Sequence, residues 1–177
     1  MCDTDRNRAV DAVDILNDFI GDLITGVMVL RDYSHALKVG RLAMVQMVPI
    51  QKMCVSHLVL TLAKWLEFYD RYHDLIPDTY RDEIKRKNKI LNDKKVRHFR
   101  NVVIGHLWDK DKKRPLVLSE IMSRLEIILG PKPGEFLKWI NDPENEEYPN
   151  TLVSVVEALR ADLMNKYSIA PEQAIER

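Results

Sequence analysis

Between Val13 and Leu30 the apolar residues Val13, Leu16, Ile20, Leu23, Val27 and Leu30 recur at alternating spacings of three and four. An α-helix turns once every 3.6 residues, so this row falls on one narrow face, and it is stable only where another helix covers it. A second row, Phe19, Ile24 and Met28, widens the face that must be buried, which predicts the interior of a helical bundle. Asp3, Thr4 and Asp5 supply capping oxygens and negative charge for a helix entering at about Arg6.

After Asp32-Tyr33-Ser34 a second apolar helical region begins, and Pro49 falls inside it. Proline lacks the amide donor and crowds the preceding turn, which predicts a kink or break there. Beyond it Met53, Val55, Leu58, Val59, Leu62, Trp65, Leu66 and Tyr69 are dense enough for a central core, and Met44, Met47 and Met53 are read as core filling. Pro77-Asp78-Thr79 closes this region and caps a third, strongly basic helix. A polar turn, Asp109 to Pro115, precedes a fourth helix from about Ser119, with Ile121, Met122, Leu125, Ile128 and Leu129 on one face and Gly130-Pro131 at its end.

A short helical piece then opens at Pro133-Gly134 and runs through Phe136, Leu137, Trp139 and Ile140, followed by an acidic loop from Asp142 to Glu147. Asn150 or Thr151 caps the last helix, whose Leu152, Val155, Val156, Leu159, Leu163 and Tyr167 keep the helical period, and 168–177 reads as a mobile tail. No segment shows strand alternation bounded by hairpin turns, and no repeat occurs. The expected fold is all-α, an antiparallel helical bundle with additional C-terminal helices, in one domain over 1–177.

With 27 basic and 27 acidic side chains, nucleic-acid or membrane binding cannot come from net charge and must come from local asymmetry. The N-terminus has no apolar segment after a basic start, and the apolar runs near 19–30 and 55–66 are interrupted by Asp22 and Lys64. They fall short of a membrane span, so a cytoplasmic protein without membrane contact is expected. Cys2 and Cys54 make no disulfide framework, which fits a reducing compartment. His57 stands alone, and Asp70 with His73 gives at most two ligands where a metal needs three or four, so neither metal nor cofactor is expected.

Local asymmetry is strongest from Lys85 to Arg100. Lys85, Arg86, Lys87, Lys89, Lys94, Lys95, Arg97 and Arg100 are relieved by one acid, Asp93. The run leads into Arg100-Asn101 and then His106, with five residues between the arginine and the histidine. Arginine forks onto phosphate oxygens and stays charged, while histidine both takes and gives a proton near neutral pH. Those are the groups that cut a phosphodiester without a metal.

Arg100-Asn101 and His106, late in a basic helical segment of an all-helical chain, resemble the arginine-polar-spacer-histidine motif of the HEPN superfamily. The resemblance covers the motif and the helical layout of about the middle two thirds of the chain. It implies a helical bundle and a metal-independent endoribonuclease of toxin-antitoxin or phage-defence type, with an antitoxin or nucleotidyltransferase as a further partner. It also implies a homodimer with both motifs facing one cleft. Arg100, Asn101 and His106 are then the catalytic candidates, and Lys94, Lys95, Arg97, Lys112 and Lys113 the RNA-binding ones.

Some HEPN families set an acidic residue from another helix beside the motif, and Glu67 and Asp70 are the candidates in this chain. On a straight α-helix Arg100 and His106 lie about 9 Å apart along the axis and about 120° apart around it, so they converge only through a bend at Gly105 or through a dimer. The competing expectation is a non-catalytic HEPN-like module that binds a nucleotide, RNA or a protein. No glycine-rich phosphate loop and no nucleophilic serine or cysteine constellation accompanies the motif.

Overall fold

A computed structural model describes residues 3–104, 108–109 and 113–171. The fold is all-α. Its long elements are α1 (Asp3–Lys38), α2 (Met44–Tyr72), α3 (Asp78–Asp93), α5 (Leu118–Leu129), α6 (Pro133–Ile140) and α7 (Leu152–Tyr167). Between α3 and α5 lie a single helical turn, α4 (Val96–Phe99), a π-helical turn at Arg100–Ile104, and two-residue strands β1 (Trp108–Asp109) and β2 (Arg114–Pro115). The strands pair antiparallel, Trp108 opposite Pro115 and Asp109 opposite Arg114, where a plain polar turn is expected from sequence.

The α1 seam does what its spacing demands. Val13, Leu16, Leu23 and Val27 are wholly buried, against α2 on one side and α7 on the other. Pairs along the α1–α2 interface fix an antiparallel hairpin. Arg8 reaches Asp74 at 2.7 Å, Asp22 accepts from Thr61 Oγ1 at 3.2 Å, and Gly26 lies under Leu58. Helix α7 also runs antiparallel to α1, with Arg160 donating to Asn17 at 3.0 Å, and its start is capped reciprocally: Thr151 Oγ1 accepts from Ser154 N–H and Ser154 Oγ from Thr151 N–H. An aromatic cluster, Phe19, Trp65, Phe68 and Tyr72, fills the α1–α2 junction, and Trp65 Nε1 donates to Asn88 on α3 at 2.7 Å.

Several boundaries differ from the sequence reading. Helix α1 passes through Tyr33 and Ser34 to Lys38, and the turn falls at 39–43, where Gly40 takes a left-handed φ of 72°. Pro49 neither breaks α2 nor ends it. It is the sixth residue of that helix, so it removes one early hydrogen bond and leaves the ladder beyond it intact. Met28, Met44 and Met53 are not core: they are 50%, 63% and 71% exposed, and the buried row of α2 starts at Val55. The basic helix is not continuous either, because α3 stops at Asp93 and Lys95 adopts a left-handed φ of 55°. At the C-terminus Ile169 is buried, so the chain stays docked past Tyr167.

By length and composition alone the whole of α2, which includes the apolar run near 55–66, is apolar enough to cross a bilayer. Its second half nevertheless forms the bundle core, from Val55 through Phe68.

Candidate functional site

Val96 and Phe99 anchor the short α4 in the core and leave Arg97 and Arg100, three residues apart, turned toward α2. Helix α2 presents Glu67 and Asp70, also three apart. The two segments run antiparallel, so Arg100 pairs with Glu67 and Arg97 with Asp70 in a two-rung ladder. Arg100 and Glu67 are part-buried, at 33% and 41% side-chain exposure, whereas Arg97 and Asp70 stand further out at 43% and 56%. Of the two acids offered as candidates from sequence, Glu67 meets Arg100 and Asp70 meets Arg97, three residues before it.

Arg100 also begins the π-helical turn that carries Asn101. A π turn bonds residue i to i+5 in place of i+4, and such turns concentrate at functional sites. Within this turn the phase therefore departs from that of a straight α-helix. Asn101 is exposed. His106 lies outside the described residues, as does Lys112.

The lysines divide sharply. Lys94, expected to bind RNA, turns inward: its Nζ donates to the Ile128 carbonyl at 2.5 Å and sits 4.6 Å from the centre of the Phe136 ring. Burial lowers its pKa below the ordinary lysine value. Its charge is thus committed to docking α5 and α6. Lys87 is the extreme case, 4% exposed, 3.5 Å from Glu83, donating to the Asn150 carbonyl at 3.3 Å and lying over the Trp139 ring. Burial lowers its pKa too, with Glu83 opposing that shift. Lys95 and Lys113 remain exposed, both on left-handed backbone.

Sequence spacing held a signal for Lys87. Ile84, Lys87, Asn88 and Leu91 fall at i, i+3, i+4 and i+7, the core stripe of an amphipathic helix, and all four are buried. Reading the basic run as one charged face overlooks that phase. The Asp70 carboxylate pairs with Arg97, and His73 Nδ1 lies 3.3 Å from the Asp70 carbonyl oxygen.

A groove of about 490 Å³ runs from the motif side along the α1–α2 junction, lined by Phe19, Tyr72, Asp18, Asp22, Lys64 and Glu67 among others. Asp22 also faces His57 Nε2 at 3.3 Å. Glu67, which lines this groove, is the carboxylate that pairs with Arg100.

No family model matches the chain, and no curated protein does. Among solved structures, the integron cassette protein Vpc_cass2 from the mobile metagenome of V. paracholerae is similar, with a TM-score of 0.76 and 26% identity. The match covers 89% of this chain and 96% of that one. The likeness therefore extends over nearly the whole helical fold, and the neighbour's name states a source and no activity.

Proposed function

We propose that this chain is a metal-independent endoribonuclease of toxin-antitoxin or phage-defence type, acting through Arg100, Asn101 and His106. The observation that carries the reading is the arginine at the head of a π-helical turn, oriented by a carboxylate from another helix. The resemblance of the motif to the HEPN pattern supports it from the sequence side. In this mechanism the ribose 2′-hydroxyl attacks its own 3′-phosphate. His106 accepts the 2′-proton and returns a proton to the departing 5′-oxygen, in one chain or divided between two copies. The products are a 2′,3′-cyclic phosphate and a 5′-hydroxyl.

Arg100 forks onto the phosphate oxygens as charge builds in the transition state, with Asn101 donating to the same group. Glu67 holds the guanidinium in position until phosphate competes for it. Exposed Lys95 and Lys113, with Arg97, supply the approach field, and a homodimer brings two such motifs to one cleft.

A second reading is favoured by the same ion pairs. Arg97 and Arg100 already have carboxylate partners, as they would in a non-catalytic helical module that binds a nucleotide, RNA or a protein. RNA incubated with the protein and chelator separates the two. Cleavage with cyclic phosphate ends, sparing DNA and lost in Arg100→Ala and His106→Ala variants that melt like the parent, is the expected result. Undiminished cleavage by a folded His106→Ala protein would eliminate this mechanism, and no cleavage by the parent in any assembly state would leave the binding module.

A further inference from the structure

The two helices of the α1–α2 hairpin run on past the rest of the bundle. From Arg31 to Cys54 no described side chain is buried, although Leu37, Val39, Leu42, Met44, Val45, Ile50 and Met53 all fall there. Val39, Met44, Val45 and Met53 are 50%, 63%, 79% and 71% exposed. Met44 and Met53 are nine positions apart, about 180° around the helix, and Val45 lies about 80° from Met53. The first turns of α2 are therefore apolar on several sides at once.

Charge adds a second, independent observation. From Tyr33 to Leu66, 34 residues, there is no aspartate or glutamate, where the average of 27 acids in 177 residues would place about five. Lys38, Arg41 and Lys52 project from the same tip, are exposed, and meet no carboxylate among the described residues.

We infer that this tip docks on an anionic lipid surface, with Val39, Met44, Val45 and Met53 entering the interface and the three cations on the phosphates. Two other occupants fit less well. A second copy docked tip to tip would oppose like charges, and an acidic helix from another protein would cover one side of an element that is apolar on several. Lipid covers all sides. The first ten residues of α2 span about 15 Å, enough for an interfacial insertion of about 5–10 Å and too short to cross a core of about 30 Å. The second half of α2 stays in the bundle, so the tip inserts without unfolding the protein. The inference does not depend on the ribonuclease reading, and it replaces the expectation of no membrane contact.

Vesicle flotation of the full chain tests it, with phosphatidylcholine alone and with phosphatidylcholine mixed with phosphatidylglycerol. Capture by the anionic vesicles alone, weakening as salt rises, is expected. Replacing Lys38, Arg41 and Lys52 by alanine should weaken capture about a hundredfold, at about fivefold for each cation. Met44→Ser with Val45→Ser should weaken it as well, with melting temperatures unchanged in both variants because all these side chains are exposed. Absence of the parent from anionic vesicles, or capture indifferent to both variants, would overturn the inference. So would a change of oligomeric state in Met44→Ser/Val45→Ser without loss of capture, which would make the tip a self-association surface.

Discussion

The two halves of α2 have similar composition and opposite fates. Met44 to Met53 and Val55 to Phe68 are both rich in large apolar side chains, yet the first is open and the second supplies Leu58, Val59, Leu62, Trp65 and Leu66 to the core. What separates them is what the topology sets beside each. Helix α4 and the π-helical turn pack on α2 through its second half, at Glu67 and Asp70, whereas no described side chain from Met44 to Met53 is buried. Apolar content thus states a need for cover, and the connections decide whether the chain meets it or leaves it to a partner.

The comparison is broken most directly by truncating one side chain in the packed half. Leu62 is wholly buried, so Leu62→Ala removes its contacts and leaves a cavity, and the cost should be about 2–5 kcal/mol by denaturant titration. A cost below about 1 kcal/mol would mean that the packed half repacks as easily as the open half.

Smaller effects sharpen where the cover begins. At Gly26 an added Cβ would stand 2.7 Å from Leu58 Cδ2, so this glycine marks the close approach of α1 to α2. Gly26→Ala should cost about 1–3 kcal/mol through overpacking. Gly21, five residues earlier and exposed, has nothing within 4 Å of the same added atom. Gly21→Ala should raise stability by about 0.5–1 kcal/mol, since alanine loses less entropy in a helix interior. Melts of the two variants moving in the same direction would show that the interface does not tighten between these positions.

Much of this architecture is legible in the sequence. The three-and-four spacing from Val13 to Leu30 called for a covered face, and Thr151 stood where a cap was needed. The limits of α1 and α2 were not legible, because Tyr33 and Ser34 resemble a turn while the chain turns later, at Gly40. Pro49 misled for a related reason: losing one early hydrogen bond is compatible with a continuous helix. At the candidate site Arg100, Glu67 and Asp70 were each visible, but their pairing depends on α4 running antiparallel to α2, which no local pattern encodes. The basic run is continuous along the chain, whereas the fold distributes it. Lys87 and Lys94 are turned inward onto carbonyls and rings, and Lys95 is left outside.

The smallest expected effect lies in the open half. Met53→Ser removes a long apolar side chain that is 71% exposed, so little burial is lost, no cavity forms, and the new hydroxyl is solvated. Serine is a somewhat poorer helix former than methionine, which sets the expected loss at no more than about 0.5 kcal/mol. Placed beside Leu62→Ala, this is the control for the whole comparison: two apolar residues nine positions apart on one helix, differing in whether anything covers them. A loss of about 2 kcal/mol or more from Met53→Ser, by the same titration, would mean that Met53 is packed in solution. If that loss grew with protein concentration, a second copy would be the cover; if it did not, the bundle itself would close over the tip, and the contrast between the two halves of α2 would fall.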